Sequence, residues 1–353
     1  MPKFSPENLR KAGYELFGAT GCREEDARAV VDHLVDSNLF GHDSHGAIRF
    51  YEYSRAVLDG RFQPDAFTKV VHDRSCTAVV DGGGTMGQVG ATFATRLAME
   101  KAKEYGIGTV ALRNTSHIGR AGAYPLMVAN EGMIGQIFVN AGRLGYQIVP
   151  FGGIDGKLST NPLAFAAPRR TGDPIMVDMT TSMVAEGKIR LALNQGKKVP
   201  SGWIIDADGN TTTDPEDFKS DPPGAILPLG GAVGHKGYGM SIMVELLGGA
   251  LSGQGCAAGE KSMVSNGVLI NAYHIEHFAE IEYFLDEVED LISHVKSSRL
   301  AEGFEEILAP GEPEFRTARD REKTGIEVDE TTWSTVCEIG LEVGVDWTKW
   351  TDT

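Results

Sequence analysis

The apolar positions of the first sixty residues recur with helical period. Ser5-Pro6-Glu7 reads as a cap, a first-turn proline and a first-turn acid, which predicts a helix running to about Phe17. From Arg23 to Phe40, the residues Ala27, Val30, Val31, Leu34, Val35 and Leu39 fall on one face against a face of Asp and Glu, so a second helix follows. A third is predicted from Gly46 to Leu58, capped by Asp43 or Ser44. Its four-residue spacing would stack His45, Arg49 and Tyr53 as an imidazole, a guanidinium and a phenol.

From Cys76 the texture changes to short β-rich runs and Gly-rich turns. Thr77–Val80, Thr109–Leu112, Ile134–Val139, Leu163–Ala166 and Ile175–Val177 read as strands, and Ala91–Tyr105 as a helix. Strands alternating with helices indicate an α/β sheet. After a further apolar run over Val264–Ala272 the helical period returns in Phe278–His294 and Thr331–Val343, so the two ends of the chain are expected to pack together as a helical unit. There is no internal repeat and no low-complexity segment.

Composition narrows the class. The 353 residues are 41% hydrophobic and 23% charged, enough apolar mass for a sizeable core. The formal charge of -16, from 49 acidic and 33 basic residues, argues against nucleic acid or an anionic membrane as partner, because both recruit basic patches. The richest apolar run, Met240–Leu251, contains Glu245 and Gly248-Gly249, so no membrane span is expected. The start Met1-Pro2-Lys3-Phe4-Ser5-Pro6 lacks the apolar core of a signal peptide, and a cytoplasmic location is expected. Cys22, Cys76, Cys256 and Cys337 are scattered without a C-x-x-C pair, as free thiols in a reducing compartment would be.

Several segments carry candidate chemistry. Gly82-Gly83-Gly84-Thr85-Met86-Gly87 fits G-x-G-x-x-G between a strand and a helix, the context of a dinucleotide fingerprint. That fingerprint also needs an acid at the end of the next strand, where this chain has Arg113-Asn114, and among 44 glycines a chance match is expected. His117, flanked by Ser116 and Arg120 in the turn after that strand, is a second imidazole at a sheet edge. Ser159-Thr160-Asn161 precedes one strand and Asp178-Met179-Thr180-Thr181-Ser182 ends another, in ordinary hydrogen-bonding turn chemistry. Gly234-His235-Lys236-Gly237 opens an apolar helix, a natural seat for a phosphate or carboxylate. Glu245, the lone acid within that helix, reads first as the partner of a buried hydrogen-bonding group.

Taken together, Gly41-His42-Asp43-Ser44-His45-Gly46 with Arg49 and Tyr53, Asn114-Thr115-Ser116-His117-Ile118-Gly119, Thr160-Asn161-Pro162-Leu163-Ala164-Phe165 and Gly234-His235-Lys236-Gly237-Tyr238-Gly239 resemble the type-2 malate/L-lactate dehydrogenase family, in order and spacing, from about Ser5 to Trp333. That family includes ureidoglycolate dehydrogenase, L-sulfolactate dehydrogenase, 2,3-diketogulonate reductase and a reductase of cyclic ketimine acids. The resemblance implies a non-Rossmann α/β fold: a mixed-sheet α/β/α cofactor domain over residues 73–305, beside a helical domain built from residues 1–72 and 306–353. It implies a homodimer with the active site near the subunit interface. In that setting Gly82 to Gly87 is a structural turn, and the nicotinamide nucleotide lies against Asn140, Asn161, Asp178, Met179, Thr180, Thr181, Ser182, His235, Lys236, Gly311, Glu312 and Pro313.

By the same resemblance, His45 or His117 passes the proton, while Ser44, Arg49, Tyr53 and Thr160 surround a small anionic 2-hydroxy or 2-oxo acid of the malate, lactate, sulfolactate or ureidoglycolate type. An imidazole moves the hydroxyl proton, and Arg49 holds the carboxylate so that C2 is oriented for hydride transfer. One departure bears on the substrate: Asn140-Ala141-Gly142-Arg143 lacks the hydroxyl found after this strand in many relatives and adds a cation. Arg143 or Arg120 is therefore expected to meet a second anionic group. Glu186, after the Thr180-Thr181-Ser182 turn, would repel a ribose 2′-phosphate, which favours NAD, with NADP the other option. A reductase of cyclic ketimine carboxylates is the alternative within the family. A metal-dependent hydrolase or lyase using His42, Asp43 and His117 is the alternative outside it, although no standard ligand spacing occurs and no metal is expected. A non-catalytic acid-binding relative is disfavoured, because both imidazoles and the clamp Arg are present.

Overall fold

Asn266–Tyr273 organises the molecule: eight residues from late in the chain form the middle strand of its main sheet. The computed structural model describes residues 1–141, 146–258 and 266–351. In chain order the first elements are β1 (Lys3–Phe4), α1 (Pro6–Ala19), α2 (Glu24–Leu39) and α3 (Ile48–Leu58). A hairpin of β2 (Lys69–Arg74) and β3 (Thr77–Asp81) leads into α4 (Gly87–Tyr105), β4 (Ile107–Thr115), α5 (Ala123–Asn130) and β5 (Ile134–Asn140). Then come β6 (Leu163–Ala167), β7 (Ile175–Met179), α6 (Glu186–Asn194) and three two-residue strands, β8 (Ile204–Ile205), β9 (Thr211–Thr212) and β10 (Ala225–Ile226). The chain finishes with α7 (His235–Val244), β11 (Asn266–Tyr273), α8 (Ile281–Lys296), α9 (Glu312–Thr324), β12 (Ile326–Glu327) and α10 (Glu330–Val343).

The seven-stranded sheet has the order β2-β3-β4-β11-β5-β6-β7. Only β3 and β4 pair in parallel; every other neighbouring pair in it is antiparallel. This is a mixed sheet and not the parallel array of a Rossmann fold, as the resemblance implies. Alternation along β11 explains its central place. Val268, Ile270 and Ala272 join a cluster under α4 and α5 with Ala94, Ala98, Val128 and Ile137. Leu269 points the other way, towards Phe138, Leu163 and Val244 of α7. A strand buried on both faces needs this unbroken apolar run, and seven of its eight residues are buried. The apolar run also included Val264 and Ser265, which lie outside the described residues.

A separate hydrophobic cluster draws on both ends of the chain. Leu9, Leu16, Val30, Leu34 and Phe50 pack with Ile326, Val336, Ile339 and Trp347, and β1 pairs with β12. Ser5 caps α1 by accepting from the Asn8 N–H at 3.2 Å, with Pro6 in the first turn, as its sequence predicts. Between β7 and α7, the small sheet β10-β8-β9 and α6 close over Val184, Ile189, Ile204 and Phe218. The hydrophobic pattern did not anticipate this unit, whose strands are too short to show alternation. It also missed β2, an edge strand exposed at all six positions.

Two close approaches define the packing that the site depends on. At the start of β4, a Cβ on Gly108 would lie 1.8 Å from the Ala98 carbonyl oxygen, so α4 rests directly on the strand. At the other seam His33 of α2, buried and stacked on Tyr124, accepts the Arg120 N–H on Nε2 at 2.8 Å. Burial, helped by the nearby Arg120 charge, pushes the His33 pKa down to about 3.

Two outcomes follow. Gly108→Ala should lower unfolding stability by about 2 kcal/mol or more, read by urea titration, because the backbone of α4 must move to admit the methyl group. His33 is protonated in the unfolded chain below its ordinary value near 6.5 and stays neutral in the folded chain until about pH 3. Stability from this residue is therefore present above pH 6.5 and is lost as the pH falls through that window. His33→Gln, which can still accept the Arg120 N–H, should lose about 2 kcal/mol less than wild type between pH 6.5 and 5 in denaturant titrations.

Candidate active site

Residues 38 to 58 do not form the single capped row that their spacing predicts. Asp43–His45 is one turn of 3₁₀ helix, and Gly46, at φ -102° and ψ -137°, separates it from α3. Asp43 does not cap the helix. Its carboxylate accepts from the Asn38 Nδ2 at 2.6 Å and from Arg321 of α9 at 2.6 and 3.1 Å, while Asn38 Oδ1 accepts the Ala47 N–H at 2.7 Å. His45 is thus set by tertiary bonds from α2 and α9, and only Arg49 and Tyr53 share the α3 helix.

His117 arrives from the sheet side, in the turn after β4, and that turn is pinned on all sides. Ser116 Oγ accepts the Gly87 N–H at 2.8 Å, Asn266 Oδ1 accepts the Ile118 N–H at 2.9 Å, and the Ile118 carbonyl accepts from Tyr124. A Cβ on Gly87 would lie 2.2 Å from the His117 carbonyl oxygen, so only glycine lets α4 start there. Gly82 and Gly84 donate their N–H groups to the Arg113 and Asn114 carbonyls at 2.9 and 2.8 Å. The G-x-G-x-x-G segment therefore spends amides on holding the His117 turn.

The two imidazoles meet. His45 and His117 stack with centroids 5.4 Å apart and planes 21° apart. Ser44 Oγ lies 3.1 Å from His45 Nδ1, and Tyr53 Oη lies 2.6 Å from His117 Nδ1. Each ring thus has Nδ1 engaged by a hydroxyl, which leaves Nε2 for other chemistry. Burial, and then the facing His117 and Arg49, push the His45 pKa well below the usual imidazole range; burial and Arg49 bring His117 to about 3. Both shifts favour the neutral ring.

Arg49 stands beside them. Its Nε–H donates to the Ser44 carbonyl at 2.9 Å and Nη1 pairs with Glu52, so Nη2 is left without a protein partner among the described residues. Tyr53 is buried, with its hydroxyl on His117 rather than on open space. Arg120, expected to meet a second anionic group, is 3% exposed, lies 3.9 Å from the Asp178 carboxylate and stacks 4.6 Å over Phe40. Its charge already has a partner. Arg143 lies outside the described residues.

The residues that the resemblance assigns to the cofactor fall in several groups: the end of β5, the turn before β6, the end of β7 with the turn after it, and the first turns of α7 and α9. Asp178, the last residue but one of β7, accepts the Gly122 N–H at 2.8 Å and faces Arg120 at 3.9 Å, and so ties that strand to the end of the His117 turn and the start of α5. Thr181 donates its N–H and its hydroxyl to the Thr160 carbonyl, both at 3.0 Å. Thr180 and Ser182 bond each other at 3.1 Å, and Met183 and Leu229 carry the backbone ladder across to the start of α7, where His235 and Lys236 are exposed. Met179 packs on the Leu163 and Val244 cluster. On the other side Gly311 abuts Met176, and Glu312, next to Pro313 in the first turn of α9, pairs with Lys296.

Asn140 and Asn161 are fully buried, and both donate Nδ2 to Glu245, at 2.6 and 2.7 Å. The Ala257 N–H is a third donor, at 2.7 Å. Glu245 is therefore the hub of a buried network, at the point where α7 widens into the π-helical turn Glu245–Ala250. Burial raises its carboxyl above the ordinary value against the pull of these donors. Three residues that matter here have no motif of their own: His33, Asn266 and Gln88, whose Nε2 approaches Tyr53 Oη at 3.4 Å. The one signal for Gln88 was its place directly after the glycine run. Among the described residues no group of three or more His, Cys, Asp or Glu is placed to hold a metal ion, and no helix is long and apolar enough to cross a membrane.

Comparison with known proteins agrees with this geometry. The family described as malate/L-lactate dehydrogenase matches residues 4–337. Malate dehydrogenase from Pyrococcus horikoshii is 39% identical over 92% of this chain and 91% of its own, and L-sulfolactate dehydrogenase from Methanocaldococcus jannaschii is 38% identical over 97% of each. The solved structure of a malate/lactate dehydrogenase from Escherichia coli superposes with a TM-score of 0.92 at 34% identity, covering 99% of this chain and 98% of that one. The mixed sheet, the paired imidazoles and the matched length together place this chain in the malate/L-lactate dehydrogenase family, as a hydroxy-acid dehydrogenase.

Proposed function

We propose that the chain is an NAD-dependent oxidoreductase acting at C2 of a small 2-hydroxy or 2-oxo acid, of the kind that its malate and sulfolactate dehydrogenase relatives are named for. The observation that carries this reading is the stacked pair His45 and His117, each with Nδ1 engaged by a hydroxyl, beside the open Nη2 of Arg49. In the oxidative direction a neutral imidazole takes the hydroxyl proton; in the reductive direction it returns one. Arg49 accepts the carboxylate and fixes the orientation of C2, and Ser44 holds His45 from behind.

The residues present suit a nicotinamide nucleotide. Asn161 Oδ1 is buried without a partner among the described residues, an acceptor that a carboxamide N–H would satisfy. Lys236, at the start of a ten-residue helix and in no ion pair among the described residues, offers a cation to a diphosphate. The bound nucleotide would supply the hydride donor or acceptor. The choice of NAD over NADP rests on Glu186 alone, and Lys219 at 3.6 Å and Arg190 at 3.8 Å offset part of its charge, so the NADPH comparison below decides it. For a second anionic group Arg143 is the better candidate of the two cations, since Arg120 already faces Asp178.

A homodimer completes the proposal. Met240, Met243, Leu246 and Leu251 line α7 and its continuation, and all four are exposed in the single chain. An apolar row of this length on a helix that also opens the cofactor edge suits burial by a second copy.

Two measurements test this. With NADH and a panel of 2-oxo acids and cyclic imino acids, wild type should turn over an oxo diacid, and His45→Ala or His117→Ala should lower kcat by ~100-fold or more. If neither substitution does so the proton-transfer assignment fails, a cyclic imino acid as best substrate moves the chain to the ketimine reductases, and a higher kcat/KM with NADPH reverses the cofactor choice. Sedimentation should give twice the 38.0 kDa chain mass, falling towards one chain mass in Leu246→Lys; a wild-type monomer rejects the dimer.

A further inference from the structure

Gln88 follows the glycine run on the first turn of α4, and its side chain is 1% exposed, with Oε1 buried and unpartnered among the described residues. Its Nε2 lies 3.4 Å from Tyr53 Oη, and that oxygen lies 2.6 Å from His117 Nδ1. Three groups on three elements, α4, α3 and the turn after β4, thus form one hydrogen-bonded chain ending at the imidazole. Tyr53 is 1% exposed and packed edge-on against Phe62, and among the described residues its phenol oxygen bonds only to Gln88 and His117.

The chain has a direction because the phenol has one proton. Gln88 Nε2 is a donor only, so it occupies an acceptor site on the Tyr53 oxygen. The phenol proton then goes to His117 Nδ1, which must be bare, and the imidazole proton is forced onto Nε2. The opposite arrangement, with His117 Nδ1–H donating to Tyr53, would put two donors on the phenol oxygen and leave its own proton without an acceptor. A buried proton without an acceptor is disfavoured, which selects the first arrangement with the Gln88 amide oriented as it stands, Nε2 towards the phenol. Burial also holds the phenol as a proton carrier, its pKa pushed up to about 12.

We propose that Gln88 is a positioning residue that acts through Tyr53 to hold His117 as the Nε2–H tautomer, so that this ring presents a hydrogen-bond donor to the substrate oxygen. The proposal rests on the reading that His117 serves proton transfer. In reduction, the Nε2 proton passes to the substrate oxygen while Nδ1 takes the phenol proton, and the ring stays neutral throughout. The phenolate left behind, which burial disfavours, is held by the Gln88 N–H and by the nearby Arg49 charge, the two groups that pull the phenol pKa down. It regains its proton from water along the same path, through Nε2 and Nδ1, once product has left.

The test reads the tautomer directly, by ¹⁵N NMR of histidine-labelled enzyme, with the His117 signals assigned by their loss in His117→Gln. Wild type should show a protonated Nε2 and a bare Nδ1. In Gln88→Glu the carboxylate can only accept, so Tyr53 should turn its proton towards it and the His117 proton should move to Nδ1. Gln88→Met keeps the volume without a donor and covers the case in which the carboxylate does not fold; it should give a mixture of tautomers. In either variant kcat for oxo-acid reduction should fall by ~10-fold or more with KM for the acid changed less than ~3-fold. A wild-type Nδ1–H signal, or variants whose tautomer matches wild type, overturns the proposal; a shifted tautomer with unchanged kcat overturns its catalytic use. His117→Gln retaining more than a tenth of wild-type kcat removes the parent reading instead, and the NMR result then still reports whether Gln88 sets the tautomer.

Discussion

The turn from Ser116 to Arg120 is where the sheet and the helical unit are locked together. Its backbone groups are met by side chains from three separate places, Asn266 on the Ile118 N–H, Tyr124 on the Ile118 carbonyl and His33 on the Arg120 N–H, while its own Ser116 Oγ accepts the Gly87 N–H. Loops in most proteins bond to water and remain mobile. This one is buried, and a buried backbone requires every donor and acceptor to be matched. The matching fixes His117 to the core, and it makes the core's integrity a condition for the geometry of the site.

Much of this was legible in the sequence, and for physical reasons. The period of α1, α2 and α10 and the apolar run of β11 follow from burial alone, and Glu245 in an apolar helix had to be a partner of something buried. Four motifs in fixed order revealed the family, although spacing alone gave no reason for it. What was not legible is non-local. Spacing put His45 on a helix with Arg49 and Tyr53, but the Gly46 backbone breaks that helix, and the proximity comes instead from Asn38 and Arg321 holding Asp43. Strand order could not be read, because β11 lies between β4 and β5 through pairings more than a hundred residues apart. Gln88 escaped notice because the glycines beside it drew the attention to phosphate.

Charge shows the same division. The chain carries a net -16, and three of its cations, Arg49, Arg120 and Lys236, belong to the candidate site. Their surroundings separate their roles. Arg120 is sealed with Asp178 and braces β7 against the His117 turn, whereas Arg49 keeps one nitrogen open and Lys236 is exposed. A buried ion pair contributes geometry more than affinity, since desolvation offsets most of its attraction. On an acidic chain, the exposed Lys236, in no ion pair among the described residues, and the open Nη2 of Arg49 are points that attract small anions.

The central position of β11 has a consequence for the chain as it is made. A ribosome releases residues in order, so β4 and β5 leave the exit tunnel with their inner edges bare and must wait for Asn266–Tyr273 to fill the gap between them. The helical unit waits longer still, for Ile326 and Trp347 to meet Leu9 and Phe50. Synthesis at some 5–20 residues per second makes this interval many seconds long, with two apolar strand edges unpaired. Vectorial synthesis therefore gives this protein almost no early folding benefit: its birth is a long open state followed by a late closure, and the chain's final quarter decides both of its cores at once.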